Sequence, residues 1–181
     1  MPVRERFSYS TMNPYSELAK GAVENYIKER KVISPSGNLP QEFKRKAGVF
    51  VTIMAGKELK GCIGTYLPTE DNIAQEIIQN AIAAATEDYR FGSIRKEELD
   101  SLSYSVHILQ TPVEVKDESE LNPRKFGIIV KAGRKSGLLL PDLEGVNTKE
   151  QQISIACEKG GIDPREEKIA IYKFTVEKYE E

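Results

Sequence analysis

The chain has 181 residues, of which 30% are charged, and its formal net charge is −2. Acids and bases are interspersed and nearly balanced, so no long-range field is expected to attract nucleic acid or an anionic membrane. No apolar run reaches the length of a membrane span, and residues 1–6 lead into no apolar core of a signal peptide. We therefore expect a cytoplasmic protein that forms a single domain over residues 1–181.

Thiols and imidazoles are scarce: the chain has two cysteines, Cys62 and Cys157, and one histidine, His107. Two cysteines in an otherwise ordinary composition fit free thiols better than a disulfide framework. A closed zinc site takes four nitrogen or sulfur ligands, and these residues supply three at most. The sequence therefore predicts no metal site from these residues and no cofactor. An oxygen-ligand ion site stays open, because carboxylates are too numerous to mark one.

The clearest helix is predicted over residues 13–30, where Asn13 can cap, Pro14 suits the first turn and apolar residues follow at helical spacing. A β-branched run at 48–54 and a strand at 59–65, joined by a Gly-Lys turn, predict a β-hairpin. A second amphipathic helix follows, introduced by Pro68 and Thr69.

The second half repeats this order. It has a strand at 127–130, a returning strand at 137–140 and a helix opened by a capping box at Thr148. We interpret the repeats, about 47–92 and 126–162, as a degenerate duplication of one hairpin-plus-helix unit.

Two further segments alternate apolar and polar residues, as half-buried strands do. One carries Leu102, Tyr104, Val106 and Ile108, and the other carries Tyr172, Phe174 and Val176. Hairpins mixed with few helices favour an α+β fold over a doubly wound sheet.

The most informative segment is Leu59-Lys60-Gly61-Cys62-Ile63-Gly64-Thr65. Glycine weakens a strand, so its presence marks a bulge or the close approach of another backbone or a ligand. Close packing between strands explains Gly61 and Gly64 as well as a ligand pocket does, and spacing alone favours packing. The segment points to a site without naming a reaction.

Cys62 is a candidate nucleophile, because small neighbours leave a thiolate accessible and Lys60 on the same strand face can lower its pKa. The alternative is a small buried hydrophobe, which free cysteine most often is. His107 is a candidate general base for it, although a solitary strand histidine is more often a surface residue. Cys157 lies on an amphipathic helix, where core packing is favoured.

Arg90 follows the second helix and has two equally supported roles. It can clamp an anion, or it can cap helix carbonyls and pair with Asp88. Pro141 ends the second hairpin where the repeat places Gly64 and Thr65 in the first, so both ends are predicted to face a common cleft.

These motifs resemble the AMME-syndrome candidate-gene protein family from about residue 13 to the C-terminus. The resemblance rests on the 59–65 segment, Arg90-Phe91, Glu98-Leu99 and the Leu-Leu-Leu-Pro run ending at Pro141. It is closest to the prokaryotic branch, protein A of the AmmeMemoRadiSam system.

The resemblance implies an α+β fold in which internally duplicated units surround one barrel-like, mostly antiparallel sheet, with a small subdomain and a cleft. It implies that the cleft is lined by the motif and its companions: Lys60, Gly61, Cys62, Ile63, Gly64, Thr65, Arg90, Phe91 and Pro141. Two residues depart from the family pattern. Lys60 stands where arginine is more usual, which weakens a bidentate contact, and His107 stands where relatives carry a small or acidic residue.

Three functions follow as hypotheses. The favoured one is a ligand- or partner-binding accessory protein that holds a small anionic ligand or a peptide. The system name implies a Memo-like protein and a radical SAM enzyme as partners. The second is an enzyme with Cys62 as nucleophile or redox thiol. The third, a nucleic-acid-binding regulator, is least favoured by the near-neutral charge, although Lys44, Arg45, Lys46, Lys131, Arg134 and Lys135 are basic.

Overall fold

The structure is a computed structural model that describes residues 13–35 and 39–180. The expectation for residues 1–6 lies outside this range. The chain divides into two compact units, Met1–Val106 with Lys178–Glu181, and His107–Glu177. This division does not test whether residues 1–181 form a single domain, so the single domain stays a prediction.

The first unit is built on helices α1 (Pro14–Glu29) and α2 (Ile73–Thr86) and on a four-stranded sheet. The sheet has the order β2-β1-β3-β8. Its strands are β1 (Val49–Ala55), β2 (Glu58–Thr65), β3 (Leu102–Leu109) and β8 (Val176–Glu180), and the division between the two units falls within β3 and within β8. β2 is therefore an edge strand, paired on one side to β1 and open on the other.

The helix starts follow local capping. Asn13 accepts a hydrogen bond from the Tyr15 amide at 2.9 Å, as predicted for α1. α2 begins later than expected, at Ile73, because Asn72 caps it by accepting from the Gln75 amide at 3.0 Å. The prediction that Pro68 and Thr69 introduce this helix is thus wrong, and both lie in the loop before it.

The second unit contains helix α3 (Lys149–Gly160) on a four-stranded sheet of order β4-β7-β5-β6. The strands are β4 (Val113–Glu114), β5 (Gly127–Ala132), β6 (Lys135–Leu139) and β7 (Ala170–Phe174). The predicted capping box is present, since the Gln151 amide donates to Thr148 Oγ1 at 3.2 Å and the Thr148 amide donates to Gln151 Oε1 at 3.1 Å.

The α+β class is confirmed, and the single barrel-like sheet is wrong. Each hairpin pairs with strands of its own sheet, and neither four-stranded sheet closes on itself. The predicted C-terminal strand through Phe174 and Val176 is also two strands. β7 ends at Phe174, and β8 begins at Val176 in the other sheet.

The two hairpin-plus-helix units share a close helix-to-strand contact. An added Cβ on Gly61 would lie 2.0 Å from the Ala84 carbonyl oxygen of α2, and one on Gly137 would lie 1.8 Å from that of Ala156 in α3. Both helices therefore lie directly on the backbone of the second hairpin strand, where only glycine fits. Their common ancestry stays a prediction.

Among the described residues, no helix has both the length and the apolar character that a membrane crossing requires.

Candidate functional site

The space beside each of the two motif glycines is filled by other residues of the protein. Gly61 lies under α2, and an added Cβ on Gly64 would lie 2.3 Å from the Phe50 ring and 2.4 Å from the Val49 carbonyl oxygen. Phe50 is the cross-strand partner of Gly64 on β1. Packing between strands therefore explains Gly64, whereas Gly61 packs against helix α2 and not against the strand that was predicted. Neither glycine opens a hollow beside Cys62.

Cys62 is half-buried on the edge strand β2. Its Sγ shares a hydrogen bond of 3.3 Å with the hydroxyl of Thr52, its cross-strand partner. Its backbone N–H donates to Asp88 Oδ2 at 2.9 Å, and its carbonyl accepts from Arg90 Nη2 at 3.2 Å. Both backbone groups thus point away from β1, toward the residues that follow α2.

Asp88 and Arg90 act together as a cap on this strand edge. Arg90 donates to both carboxylate oxygens of Asp88, from Nε at 2.9 Å and from Nη2 at 2.7 Å. The pair offers Cys62 one acceptor and one donor, which are the groups that a neighbouring strand would offer. An exposed strand edge is a template for unwanted pairing, and this pair blocks the edge at its centre.

The cap is electrostatically strong. The Asp88 side chain is only 4% exposed, and its hydrogen bond with Arg90 is the largest effect lowering its pKa, to about 2. Burial acts in the opposite direction, and hydrogen bonds from the Cys62 and Arg90 amides add to the lowering. Of the two roles predicted for Arg90, the structure shows the pairing with Asp88.

The turn that carries this pair presents an aromatic side chain to solvent. A backbone hydrogen bond of 3.0 Å from the Phe91 amide to the Asp88 carbonyl closes the turn over residues 88–91. Tyr89 at its tip is 95% exposed. The Arg90 guanidinium stacks over the Phe91 ring at 5.2 Å and is half exposed. We call Cys62, Tyr89, Arg90 and Phe91 the turn surface.

Lys60 is engaged with carboxylates. The pairing with β1 shifts register beside it, so Lys60 is an extra residue in β2. Its Nζ lies 3.1 Å from Glu98 and 3.8 Å from Glu58. The hydrogen bond from the Arg95 amide, followed by that from Lys60, lowers the Glu98 pKa to about 2. The cation predicted to activate the thiol is thus held by two carboxylates.

Sequence reasoning missed Glu76, which anchors the far end of the motif. This side chain in the first turn of α2 is 1% exposed. It accepts hydrogen bonds from the Thr65 hydroxyl, from the Thr69 amide and hydroxyl, and from the Glu70 amide. A carboxylate within the apolar face of a helix was the available signal, because a buried charge needs such partners.

The other residues singled out from the sequence are Ile63, His107, Pro141 and Cys157. Ile63 is half-buried on β2 opposite Val51. Pro141 belongs to the second unit and Cys62 to the first, whereas His107 lies on β3, as the first residue that the division assigns to the second unit. A basic role of His107 and a shared cleft at Pro141 stay predictions. Cys157 is 2% exposed in the core of the second unit, where burial raises its pKa, as core packing predicted.

Two of the six basic residues named for nucleic-acid binding are paired with carboxylates: Lys46 with Asp71 at 3.5 Å, and Lys135 with Glu167 at 2.8 Å.

A family model described as AMMECR1 matches residues 16–179. The chain therefore belongs to the AMMECR1 family, and the resemblance seen in its motifs is confirmed. It is 51% identical over 169 residues to a protein of Thermotoga maritima, covering 92% of this chain and 97% of that protein. A protein of Clostridium acetobutylicum is 45% identical over 171 residues, which are 93% of this chain and 36% of that longer protein.

The fold matches the crystal structure of an uncharacterized protein from Pyrococcus horikoshii. The TM-score is 0.84 at 34% identity, covering 92% of this chain and 89% of that chain. The names of these three proteins state no activity.

Proposed function

We propose that this chain is a cytoplasmic binding module that contacts a partner protein through the turn surface. The observation that carries the proposal is Tyr89, 95% exposed on a turn pinned at both ends. An aromatic ring in water gains free energy when a partner covers it. Tyrosine and arginine, which occupy the two central positions of this turn, are enriched among residues that dominate binding energy.

The rigidity of the turn supports this role. Asp88 is held by Arg90 and by the Cys62 amide, so residues 88–91 are tied to the edge of β2. A surface that is already ordered loses little conformational entropy when a partner binds. The turn surface is therefore preorganised for docking.

The charges of the site favour a protein partner over a small anion. Arg90 and Lys60 are the cations that an anionic ligand would use, and each is paired with carboxylates of this chain. An anion would have to compete with Asp88, whose carboxylate is buried and doubly hydrogen-bonded by Arg90. A peptide surface can instead cover Tyr89 and leave both pairs intact.

The partners we propose are a Memo-like protein and a radical SAM enzyme, as the family resemblance implies. The Clostridium acetobutylicum relative supports an accessory role, because the matched region is 36% of that protein.

The test is calorimetric titration of the purified chain with each purified partner from the same genome. We expect Tyr89→Ala to weaken binding by about 30-fold, the loss of about 2 kcal/mol typical of a binding hot spot. Val32→Ala is the matched control, since Val32 is 48% exposed and lies in the loop that follows α1. Absence of binding to both partners, or equal effects of the two variants, would reject the proposal.

A second candidate is an enzyme that uses Cys62, favoured by the half-exposed state of this thiol and its hydrogen bond to Thr52. Alkylation of the native protein from pH 5.5 to 9, followed by mass spectrometry, tests it, with the buried Cys157 as internal control. Rapid labelling of Cys62 well below about pH 8 would favour the enzyme. Resistance of both thiols until unfolding would make Cys62 a packing residue.

A further inference from the structure

A groove of about 750 Å³ runs along helix α3 in the second unit. Its apolar floor is formed by Ile153, Cys157, Ile162 and Ile169. Cys157 and Ile162 belong to the hydrophobic core, while Ile153 and Ile169 are partly buried and pack against it. The floor of the groove is therefore the outer surface of the hydrophobic core, and core residues pack against its inner side.

The rim of the groove is acidic. It carries the carboxylates of Glu118, Glu150, Glu158 and Asp163 and one cation, Arg165. Arg165 is already used, since it donates to both carboxylate oxygens of Asp163 at 3.1 and 3.0 Å. Within residues 39–180, no ion pair joins the other three carboxylates to a cation. The rim thus presents uncompensated negative charge above an apolar floor.

Helix stability does not account for the whole rim. Glu150 lies in the first turn of α3, where a carboxylate favours the helix dipole. Glu158 lies in the last turn, where the same charge is unfavourable. Its position is explained better by an external positive charge than by the helix itself.

The length of the groove indicates the kind of occupant. Glu150, Ser154 and Glu158 are spaced four residues apart and line one side of it. They span about 12 Å of the helix axis at about 1.5 Å per residue. A groove that follows two helical turns suits the i and i+4 side chains of a helical segment, as in helix-in-groove recognition.

We propose that this groove binds a cationic, amphipathic segment of a partner protein. Apolar side chains of that segment lie on the isoleucine floor, and its lysines or arginines meet Glu150 and Glu158. This groove lies in the second unit and shares no residue with the turn surface, so binding at each surface is tested separately.

The probe is a fluorescein-labelled helical peptide of leucine and lysine, and the matched peptide carries glutamate in place of lysine. Anisotropy titrations at low salt use the wild type, the double variant Glu150→Gln with Glu158→Gln, and Ser154→Arg. Ser154 is exposed, so a larger side chain there fills the groove without entering the core. The control double variant, Glu42→Gln with Glu97→Gln, removes two exposed carboxylates of the first unit.

We expect the lysine peptide to bind and the glutamate peptide not to bind. The groove double variant weakens binding about fivefold, and Ser154→Arg weakens it further, because it adds both bulk and positive charge. The control double variant stays within about twofold of wild type. Equal losses in the two double variants, or unchanged binding in Ser154→Arg, would overturn the proposal by placing the peptide elsewhere.

Discussion

Asp88→Asn tests the cap on the edge of β2. Asparagine keeps the size of the side chain and an oxygen for the Cys62 amide, but it loses the charge that pairs with Arg90. The Asp88 pKa falls from 3.8 to about 2 in the folded protein. At about 1.4 kcal/mol per pKa unit this corresponds to about 2 kcal/mol of stability.

The sign of the effect sets its pH dependence. A carboxylate with a depressed pKa stabilises the folded state above its unfolded pKa, and this stability is lost as the pH falls through about 2. The gap between wild type and Asp88→Asn is therefore about 2 kcal/mol at pH 7 and about half of that near pH 3.

Urea unfolding at several pH values measures this gap. Asp100→Asn is the control, because Asp100 is exposed in the same unit. Two variants of equal stability at pH 7, or a gap that does not shrink as the pH falls, would refute the assignment of the cap.

Two further substitutions test the packing of the motif. Gly61→Ala places a methyl group 2.0 Å from the Ala84 carbonyl oxygen and should lower the free energy of unfolding by about 3 kcal/mol. Gly92→Ala is the control, because its methyl group enters open space and should change the free energy of unfolding by under about 0.5 kcal/mol. Similar losses for the two variants in urea unfolding would contradict the close helix contact. Glu76→Leu should cost about 3 kcal/mol because its four donors lose their acceptor. Glu76→Gln should cost less, since threonine hydroxyls can turn to accept from the amide, and a reversed order would contradict the network.

Local features of the sequence predicted local structure well. Asn13 and Thr148 cap helices as their spacing indicates. The turn glycines Gly56 and Gly133 both have positive φ, 57° and 55°. Both turns need this conformation, which explains why the two hairpins have similar turn sequences. Such signals depend on neighbours within a few residues, so a single sequence contains them.

Contacts between residues far apart in the sequence could not be predicted from the sequence alone. The contact between Cys62 and Asp88 joins residues 26 positions apart, and nothing in either segment marks the other. The barrel-like sheet, which the family resemblance implied, also depends on long-range pairing, because similar hairpins do not specify whether their strands pair with each other or with separate strands. The start of α2 was wrong because Asn72 competes with Thr69 as a cap, and Thr69 is instead held by Glu76.

Site-specific photocrosslinking detects the proposed contact between the turn surface and a partner protein. A benzophenone amino acid is placed at Tyr89 or, as the control, at Val32, and each protein is irradiated with the purified Memo-like protein or radical SAM enzyme. We expect a crosslinked species from position 89 and none from position 32. Crosslinking from neither position, or equally from both, would contradict this contact.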